Sequence, residues 1–278
     1  MAVLAHPDDE SLGVGGTLAR CAREGIETHL LTATRGERGR YANGAEHPGP
    51  EALGRIREGE LRAAARVLGV QDVRLLDYVD GDLDRADPAE AVSRIAAHLR
   101  RARPHVVVTF DPFGAYGHPD HVAISQFTTA AVVAAADAGH RVRPEHLTHG
   151  AGAGDAPDPA SLAPHRVAKL YYMANGAAKW TAYQHAFKRL VSRVDGIERE
   201  ATPWPDWSIT TRLDTSEDWP VVWEAIRCHH SQIANNERLA RLSPADHAGL
   251  WGTQEFYRAM SLVNGGRAPE SDLFEGLR

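Results

Sequence analysis

Two short stretches concentrate the reactive side chains of this sequence. One is AHPDDE at 5–10, within the longer run LAHPDDESLGVGG at 4–16; the other is GHPDH at 117–121. Three kinds of structure compete for the first. A phosphate-binding loop rests on Gly13, Gly15 and Gly16, but the spacing is GxGG rather than GxGxxG, no Walker lysine follows, and three consecutive acids would repel a pyrophosphate. A helix cap needs a single Asp or Ser and stabilises a helix by about 1 kcal/mol. Ser11 or Asp9 could supply it, which leaves His6 and two acids without a task. A metal site uses the surplus. A catalytic zinc takes about three protein ligands from His and carboxylate and keeps a position open for water. It also needs a carboxylate nearby to accept that water's proton. His6 and Asp9 lie three residues apart on a turn set by Pro7, a spacing that lets them share one ion, with Asp8 free between them as base. The missing ligand is expected from another strand end, where GHPDH offers His118 and His121. A lone HxxD or HxxH recurs by chance; two such clusters, each behind a strand, rarely do.

The elements that must position these groups read as an alternation of short apolar runs and longer amphipathic ones. Strands are expected at 1–5, 28–34, 73–77 and 105–110, the last with consecutive β-branched residues. Helices are expected at 15–24, at 49–69 between Pro50 and Gly69, at 87–104 with Asp87 as N-cap and Pro88 in the first turn, and at 118–139. This βαβα order predicts an α/β fold: a Rossmann-like, mostly parallel sheet with helices on both faces and right-handed crossovers. Sites in such sheets lie at the carboxyl ends of strands, which is where both reactive stretches fall. Residues 139–165 read as a long loop. Beyond it, a strand at 166–173, a helix at 178–191, the run SITTRLD at 208–214 and WPVVWEAIRCHHSQI at 219–233 read as C-terminal α/β additions. One domain over 1–278 is expected, with 1–138 as the metal-site core and 166–278 completing it and shaping the pocket. Trp204, Trp207, Trp219 and Trp223 read as core or lid residues. His229 and His230 look site-like, but their helix has an apolar face of its own, which favours a structural role.

Composition narrows the class. At 278 residues with 43% hydrophobic content, the chain can bury a large core. A net charge of −6 and scattered arginines argue against nucleic acid as a partner. No apolar run approaches the roughly 20 residues of a membrane span. The N-terminus turns acidic before a signal-like apolar region can develop, although the chain begins inside a strand, so a trimmed start stays an open reading. Cys21 and Cys228 match no zinc or redox spacing, and two distant thiols suit a reducing, cytoplasmic setting.

Taken together, AHPDDE and GHPDH resemble the signature pair of the LmbE-like, or PIG-L, zinc-dependent N-deacetylases. The similarity extends to TATRGERG at 32–39, IREGELRAAARVLGV at 56–70 and HVVVTFDP at 105–112, in the family's order over roughly 1–137. The resemblance implies one zinc ion per chain, or another divalent transition metal, bound by His6, Asp9 and His121. It implies Asp8 as the general base that activates water at the zinc. His118 would stabilise the oxyanion or protonate the leaving amine, with Asp120 orienting its ring, and Tyr116 would help polarise the carbonyl. Arg57 matches an arginine that contacts the sugar or an anionic group, and Asp77 and Glu37 are candidates for the same pocket. Residue by residue, plainer roles compete: His118 as a helix cap, Tyr116 as a packed loop residue, Arg57 as a solvated helix residue.

The expected activity is hydrolysis of an N-acyl, most simply N-acetyl, amide on an amino sugar or sugar conjugate, with a small N-acetylated molecule as partner. Rivals are an amidase acting on a thiol conjugate, a metal-dependent hydratase or lyase on the same fold, and a non-catalytic binding protein. Asp8, His118 and Asp120 speak against the last, because a binder needs no base beside its metal.

Overall fold

The computed structural model of the protein describes residues 1–41, 46–147, 162–187, 191–194, 196–233, 239, 241–266 and 268–278. The first half follows the alternation of the sequence: β1 (Ala2–Leu4), α1 (Asp9–Arg23), β2 (His29–Thr34), α2 (Pro50–Val67), β3 (Asp72–Tyr78), α3 (Pro88–Ala102) and β4 (Val106–Thr109). A short turn of helix, α4 (Gly114–Gly117), leads into α5 (Pro119–Ala136). The second half adds β5 (Lys169–Met173), α6 (Ala177–Phe187), β6 (Val191–Val194), β7 (Ile197–Glu200), β8 (Thr211–Asp214), α7 (Trp219–Arg227), α8 (His230–Ile233), α9 (Pro244–Trp251) and β9 (Thr253–Ser261). Among the described residues, no helix is long and apolar enough to cross a membrane. Of the segments expected from sequence, 42–45 before α2, 148–161 of the long loop and 188–190 at the end of the α6 run lie outside the described residues.

The seven-stranded sheet runs β3-β2-β1-β4-β5-β9-β8. Every neighbour pair from β3 to β5 is parallel, and β9 lies antiparallel between β5 and β8. The inner parallel strands are buried on both faces, as crossover helices require: all of β1 and β4 and most of β2 are buried, while the edge strand β3 is mostly half-buried. From β1 the chain steps outward through β2 to β3, then returns to the other side of β1 to form β4. Right-handed crossovers therefore place α1 and α2 on one face, where they pack with α7, and α3 on the other, where it packs with α5. The order reverses between β1 and β4. The crevice at their carboxyl ends is the place where this architecture binds ligands, and it is lined by the two reactive stretches.

Local signals behave as the residues dictate. Asp87 caps α3 through its side chain, accepting from the amides of Ala89 at 2.8 Å and Glu90 at 3.1 Å. The second half shows what sequence periodicity did not: the single helix expected over 219–233 breaks into α7 and α8 with His229 at the joint, and β9 and the β6–β7 hairpin were not anticipated.

The glycines of 13–16 depart from expectation. Helix α1 begins at Asp9, six residues earlier than the sequence suggests, so Gly13 lies inside the helix along with Gly15 and Gly16. They permit close approach. A Cβ on Gly16 would sit 2.8 Å from Thr215 Oγ1 and 2.9 Å from Thr215 Cβ, and one on Gly15 would sit 3.0 Å from a Val222 methyl. Thr215 cannot easily yield, because its hydroxyl donates to the Trp251 carbonyl at 2.6 Å. The substitution Gly16→Ala gains about 1 kcal/mol of helix propensity but overpacks the contact by about 1–3 kcal/mol. A net loss of stability is expected, read as a lower denaturation midpoint with an unchanged slope.

Candidate metal centre

The turn after β1 is made rigid by backbone bonds to its own acids. Asp9 Oδ2 accepts from the amides of Ala5 at 3.2 Å and His6 at 2.8 Å. Asp8 is the N-cap of α1 with φ +107°, a left-handed conformation that costs a non-glycine residue about 1–3 kcal/mol and is kept where surroundings enforce it. Two contacts do so. Arg57 Nη2 donates to Asp8 Oδ2 at 3.0 Å and also to the Pro7 carbonyl. Glu10 Oε2 accepts the Asp8 amide at 3.0 Å.

His6 is buried and its two ring nitrogens face different groups. Nε2 lies 3.0 Å from Asp120 Oδ2 and 3.2 Å from Asp80 Oδ1. Nδ1 lies 3.3 Å from His121 Nε2 and 3.7 Å from Asp9 Oδ2, and Asp9 Oδ1 is 3.6 Å from His121 Nε2. A tetrahedral ion with ligand bonds of about 2.0–2.1 Å holds its ligand atoms about 3.3–3.4 Å apart; His6 Nδ1 and His121 Nε2 are already at that spacing, and each faces a different oxygen of Asp9 at 3.7 and 3.6 Å. The donor set, two imidazoles and a carboxylate, is that of a catalytic centre with one position left for water or substrate. Other groupings of potential ligands also meet on His6, one with His118 and His121 and one with Asp80 and Asp120. The second grips Nε2, the nitrogen turned away from Asp9 and His121, and so forms the carboxylate–histidine support that fixes a ligand's tautomer.

Burial works against a charged His6, but the Asp120 and Asp80 carboxylates outweigh it and push the ring up to about 10. Burial, opposed by the charge of His6, pushes Asp9 up to about 7. His121 is driven well below the usual imidazole range, by burial first and by the His6 charge second. Its ring stacks on Phe110 with centroids 3.8 Å apart and planes at 13°. Burial raises the Asp8 carboxyl, while Arg57 pulls it down.

The second reactive stretch is held differently from expectation. The Asp120 carboxylate does not bond to the His118 ring. It accepts from the amides of Gly81 at 2.7 Å and Leu83 at 3.1 Å as well as facing His6, tying α5 to the loop after β3. The Asp120 backbone amide instead donates to His118 Nδ1 at 3.2 Å. His118 is thus the N-cap of α5, the plainer role weighed from sequence, and is near the metal cluster as well, with its ring 4.9 Å from that of His6 and 4.8 Å from that of His121. Burial, then the His6 charge, lowers its tendency to protonate. A neutral ring that accepts at Nδ1 carries its proton on Nε2. Tyr116 lies beside both histidines, its ring 6.1 Å from His118 and 5.4 Å from His121, and burial with the nearby Asp9 charge holds its hydroxyl protonated.

A cleft opens beside the ligands. Asp8, Asp9, Tyr116 and His121 line one end; Met173, Asn175, Trp180, Tyr183 and Trp204 from the second half line the other. Arg57, Asp77 and Glu37 are not among its lining residues. Arg57 is buried, not solvated, and its guanidinium is engaged by Asp8, Pro7 and the Gly36 carbonyl at 2.8 Å. Gly36 must lack a side chain for this, since a Cβ there would overlap the guanidinium. Glu37 accepts the Asp80 amide at 2.8 Å, and Asp77 pairs with Arg35 at 2.8 Å.

Comparison with known proteins gives the family. The sequence profile of the PIG-L family, described as GlcNAc-PI de-N-acetylase, matches residues 1–132. The 1D-myo-inositol 2-acetamido-2-deoxy-alpha-D-glucopyranoside deacetylase of Kineococcus radiotolerans is 36% identical, covering 99% of this chain and 82% of that protein. The chain belongs to the PIG-L family. The fold is shared more widely: N,N'-diacetylchitobiose deacetylase from Pyrococcus horikoshii has a TM-score of 0.62 at 20% identity, covering 92% of this chain and 83% of that one. The 4-carboxy-2-hydroxymuconate hydratase of Pseudomonas putida has a TM-score of 0.65 at 20% identity, covering 96% and 98%.

Within this PIG-L chain, sequence reasoning passed over Asp80, Asp111 and the Glu10–His229 pair. Asp80 had a signal: it follows β3 at the carboxyl edge of the sheet, the same position that singled out the other two clusters. Asp111 Oδ1 accepts from the Ala115 amide at 2.7 Å and Oδ2 from Trp204 Nε1 at 2.8 Å, a pairing of distant residues that no local pattern announces.

Two outcomes follow from the support of His6. Asp120→Asn turns an amide toward donors and is expected to weaken metal binding by about 10–100-fold, measured by chelator competition. A metal at Nδ1 must also displace the proton that the raised His6 pKa retains at neutral pH, so uptake should release protons and affinity should fall as pH falls below about 10. Calorimetry in buffers of different ionisation enthalpy reads that release; uptake without proton release would contradict it.

Proposed function

We propose that this chain is a zinc-dependent N-deacetylase that removes the acetyl group from an N-acetylated amino-sugar conjugate. The observation that carries the reading is the convergence of His6 Nδ1, Asp9 and His121 Nε2, with the Asp8 carboxylate beside them on the cleft wall. Two imidazoles and one carboxylate suit zinc, and they are the ligands the reading assigns. Such an ion, when bound, lowers the pKa of a water to about 7 and polarises a carbonyl.

The chain's own residues supply the rest of the chemistry. Asp8 takes the proton of the attacking water; Arg57 holds its carboxylate on the cleft wall. The amide carbon becomes tetrahedral, and its oxygen gains negative charge only in that state. Donors aimed at such charge are worth about 3 kcal/mol each. Tyr116 offers its hydroxyl, and His118 offers Nε2–H because Nδ1 is occupied by the Asp120 amide. A neutral His118 fits an oxyanion donor better than an acid, which leaves the proton collected by Asp8 for the departing amine. Arg57 and Glu37 serve this reading as positioning residues, for Asp8 and for the Asp80 loop respectively.

The substrate class rests on the relatives. The Kineococcus protein is named for a glucosaminyl inositol carrying an acetamido group. The aromatic wall of Trp180, Tyr183 and Trp204 suits a sugar or cyclitol ring. The reading treats 1–278 as one working unit, with 1–138 holding the metal and 166–278 walling the pocket, and the sheet that joins β4 to β5 supports it. A cytoplasmic setting belongs to the proposal too; Cys21 and Cys228 are both free. The hydratase with the same fold keeps one alternative in view, addition of water to a carbon–carbon double bond.

Acetate release from the acetamido-glucosyl inositol and from N-acetylglucosamine separates these readings. Deacetylation of the former, with one zinc per chain, is the expected result; a protein that binds no metal, or releases no acetate from either, is not this enzyme. Asp8→Ala should cut kcat by about 10²–10⁴-fold and leave zinc stoichiometry intact. Loss of the zinc would make Asp8 a ligand instead of the base.

A further inference from the structure

The second half of the chain reaches the metal turn through one buried contact. His229, at the joint of α7 and α8, is fully buried, and its Nε2 lies 2.6 Å from Glu10 Oε1. Ser11 Oγ donates to the same oxygen at 2.6 Å. The other oxygen of Glu10 accepts the amide of Asp8 at 3.0 Å. The carboxylate is therefore divided: one oxygen faces His229, the other holds the peptide of the residue assigned as base. Among the described residues His229 Nδ1 has no partner, so Glu10 is what the ring is oriented toward. The joint itself is pinned from outside. Ser231 donates its amide and hydroxyl to Glu60 of α2 at 2.7 and 2.6 Å, and Gln232 Nε2 donates to the Arg40 carbonyl at 2.7 Å.

We propose that His229 is a positioning residue for catalysis, acting through Glu10 to hold the Asp8 peptide in its left-handed conformation and so to aim the base at the cleft. This rests on the reading of Asp8 as general base. The metal ligands are fixed by other groups: Asp9 by the amides of Ala5 and His6, His6 by Asp120 and Asp80, and His121 by the Phe110 ring. Without His229, the buried Glu10 carboxylate loses its charged partner and keeps only the Ser11 hydroxyl on that oxygen, and its grip on the Asp8 peptide, one of the two contacts that enforce φ +107°, loosens. The carboxylate then drifts from the attacking water while metal and substrate sites stay in place. A displacement on the scale of 1 Å is enough to cost about 10²-fold in rate.

The test compares wild type, His229→Ala and His229→Gln, the last keeping an amide donor for Glu10. The expected result for His229→Ala is a fall in kcat of about 10–100-fold with KM and zinc content unchanged. His229→Gln should recover most of that loss. Hydrogen exchange of the Asp8 amide, followed by NMR, should be faster in His229→Ala and slow again in His229→Gln. Unchanged kcat in His229→Ala, a raised KM, lost zinc, or an Asp8 amide whose exchange does not respond would overturn the proposal. The exchange readout needs no substrate. If wild type releases no acetate, the deacetylase reading falls by itself, and the exchange of the Asp8 amide still decides the His229 contact.

Discussion

The contact between His6 Nε2 and the carboxylates of Asp120 and Asp80 is the constraint on which the centre depends. A buried imidazole has two nitrogens and one plane. Once Nε2 is held at 3.0 and 3.2 Å by carboxylates, Nδ1 can face only toward Asp9 and His121. The same Asp120 carboxylate takes the amides of Gly81 and Leu83, so it also fixes the loop that carries Asp80. Three strand ends are thereby joined at the point where the sheet order reverses: β1 through His6, β3 through Asp80 and Gly81, and β4 through the segment that leads to Asp120. The topology brings these ends together, and the hydrogen bonds of one carboxylate set their mutual orientation.

That arrangement concentrates negative charge. Asp8, Asp9, Glu10, Asp80 and Asp120 crowd around one turn, and buried charges are tolerated only when paired. Each has a specific answer. Arg57 meets Asp8, His229 meets Glu10, and His6 meets Asp80 and Asp120. Asp9 is left with backbone amides and the near side of His6, and burial raises it to about 7. The carboxylate least provided with charge by the protein is thus the one assigned to the metal. The proposed base has its own guanidinium, which offsets part of the burial that raises its carboxyl.

The reactive types and their spacing were legible in the sequence because they are local: a histidine and an acid three residues apart on a proline turn need no tertiary knowledge to be recognised. The strand order around them followed from alternation and handedness. What could not be read was which partner each side chain takes once folded. Asp120 sits two residues from His118, and proximity suggests that they pair; the fold turns the carboxylate toward His6, more than a hundred residues away, and leaves His118 the main-chain amide. Arg57 looks like a solvated helix residue or a substrate contact, yet the absence of a side chain at Gly36 lets its guanidinium fill the space behind the Asp8 turn. The glycines of α1 carried the same ambiguity. A glycine needed for a turn and one needed for close packing look alike until Thr215 and Val222 are seen against them.

The cleft divides its tasks along the chain. The proposed metal ligands and base all come from the first 121 residues, while the aromatic wall opposite comes from beyond 173. Asp111 bridges the two. One of its oxygens holds the Ala115 amide, and with it the strained turn that presents Tyr116; the other holds the indole of Trp204. Ala115 has φ +62°, so the turn depends on such a bond to persist. A change in the wall that moved Trp204 would release one arm of Asp111 and reach Tyr116 through the other. On the proposed reading, substrate selection by the second half is therefore not independent of the chemistry in the first. Variation among relatives in the segment around Trp204 should alter the placement of the tyrosine hydroxyl along with the shape of the pocket.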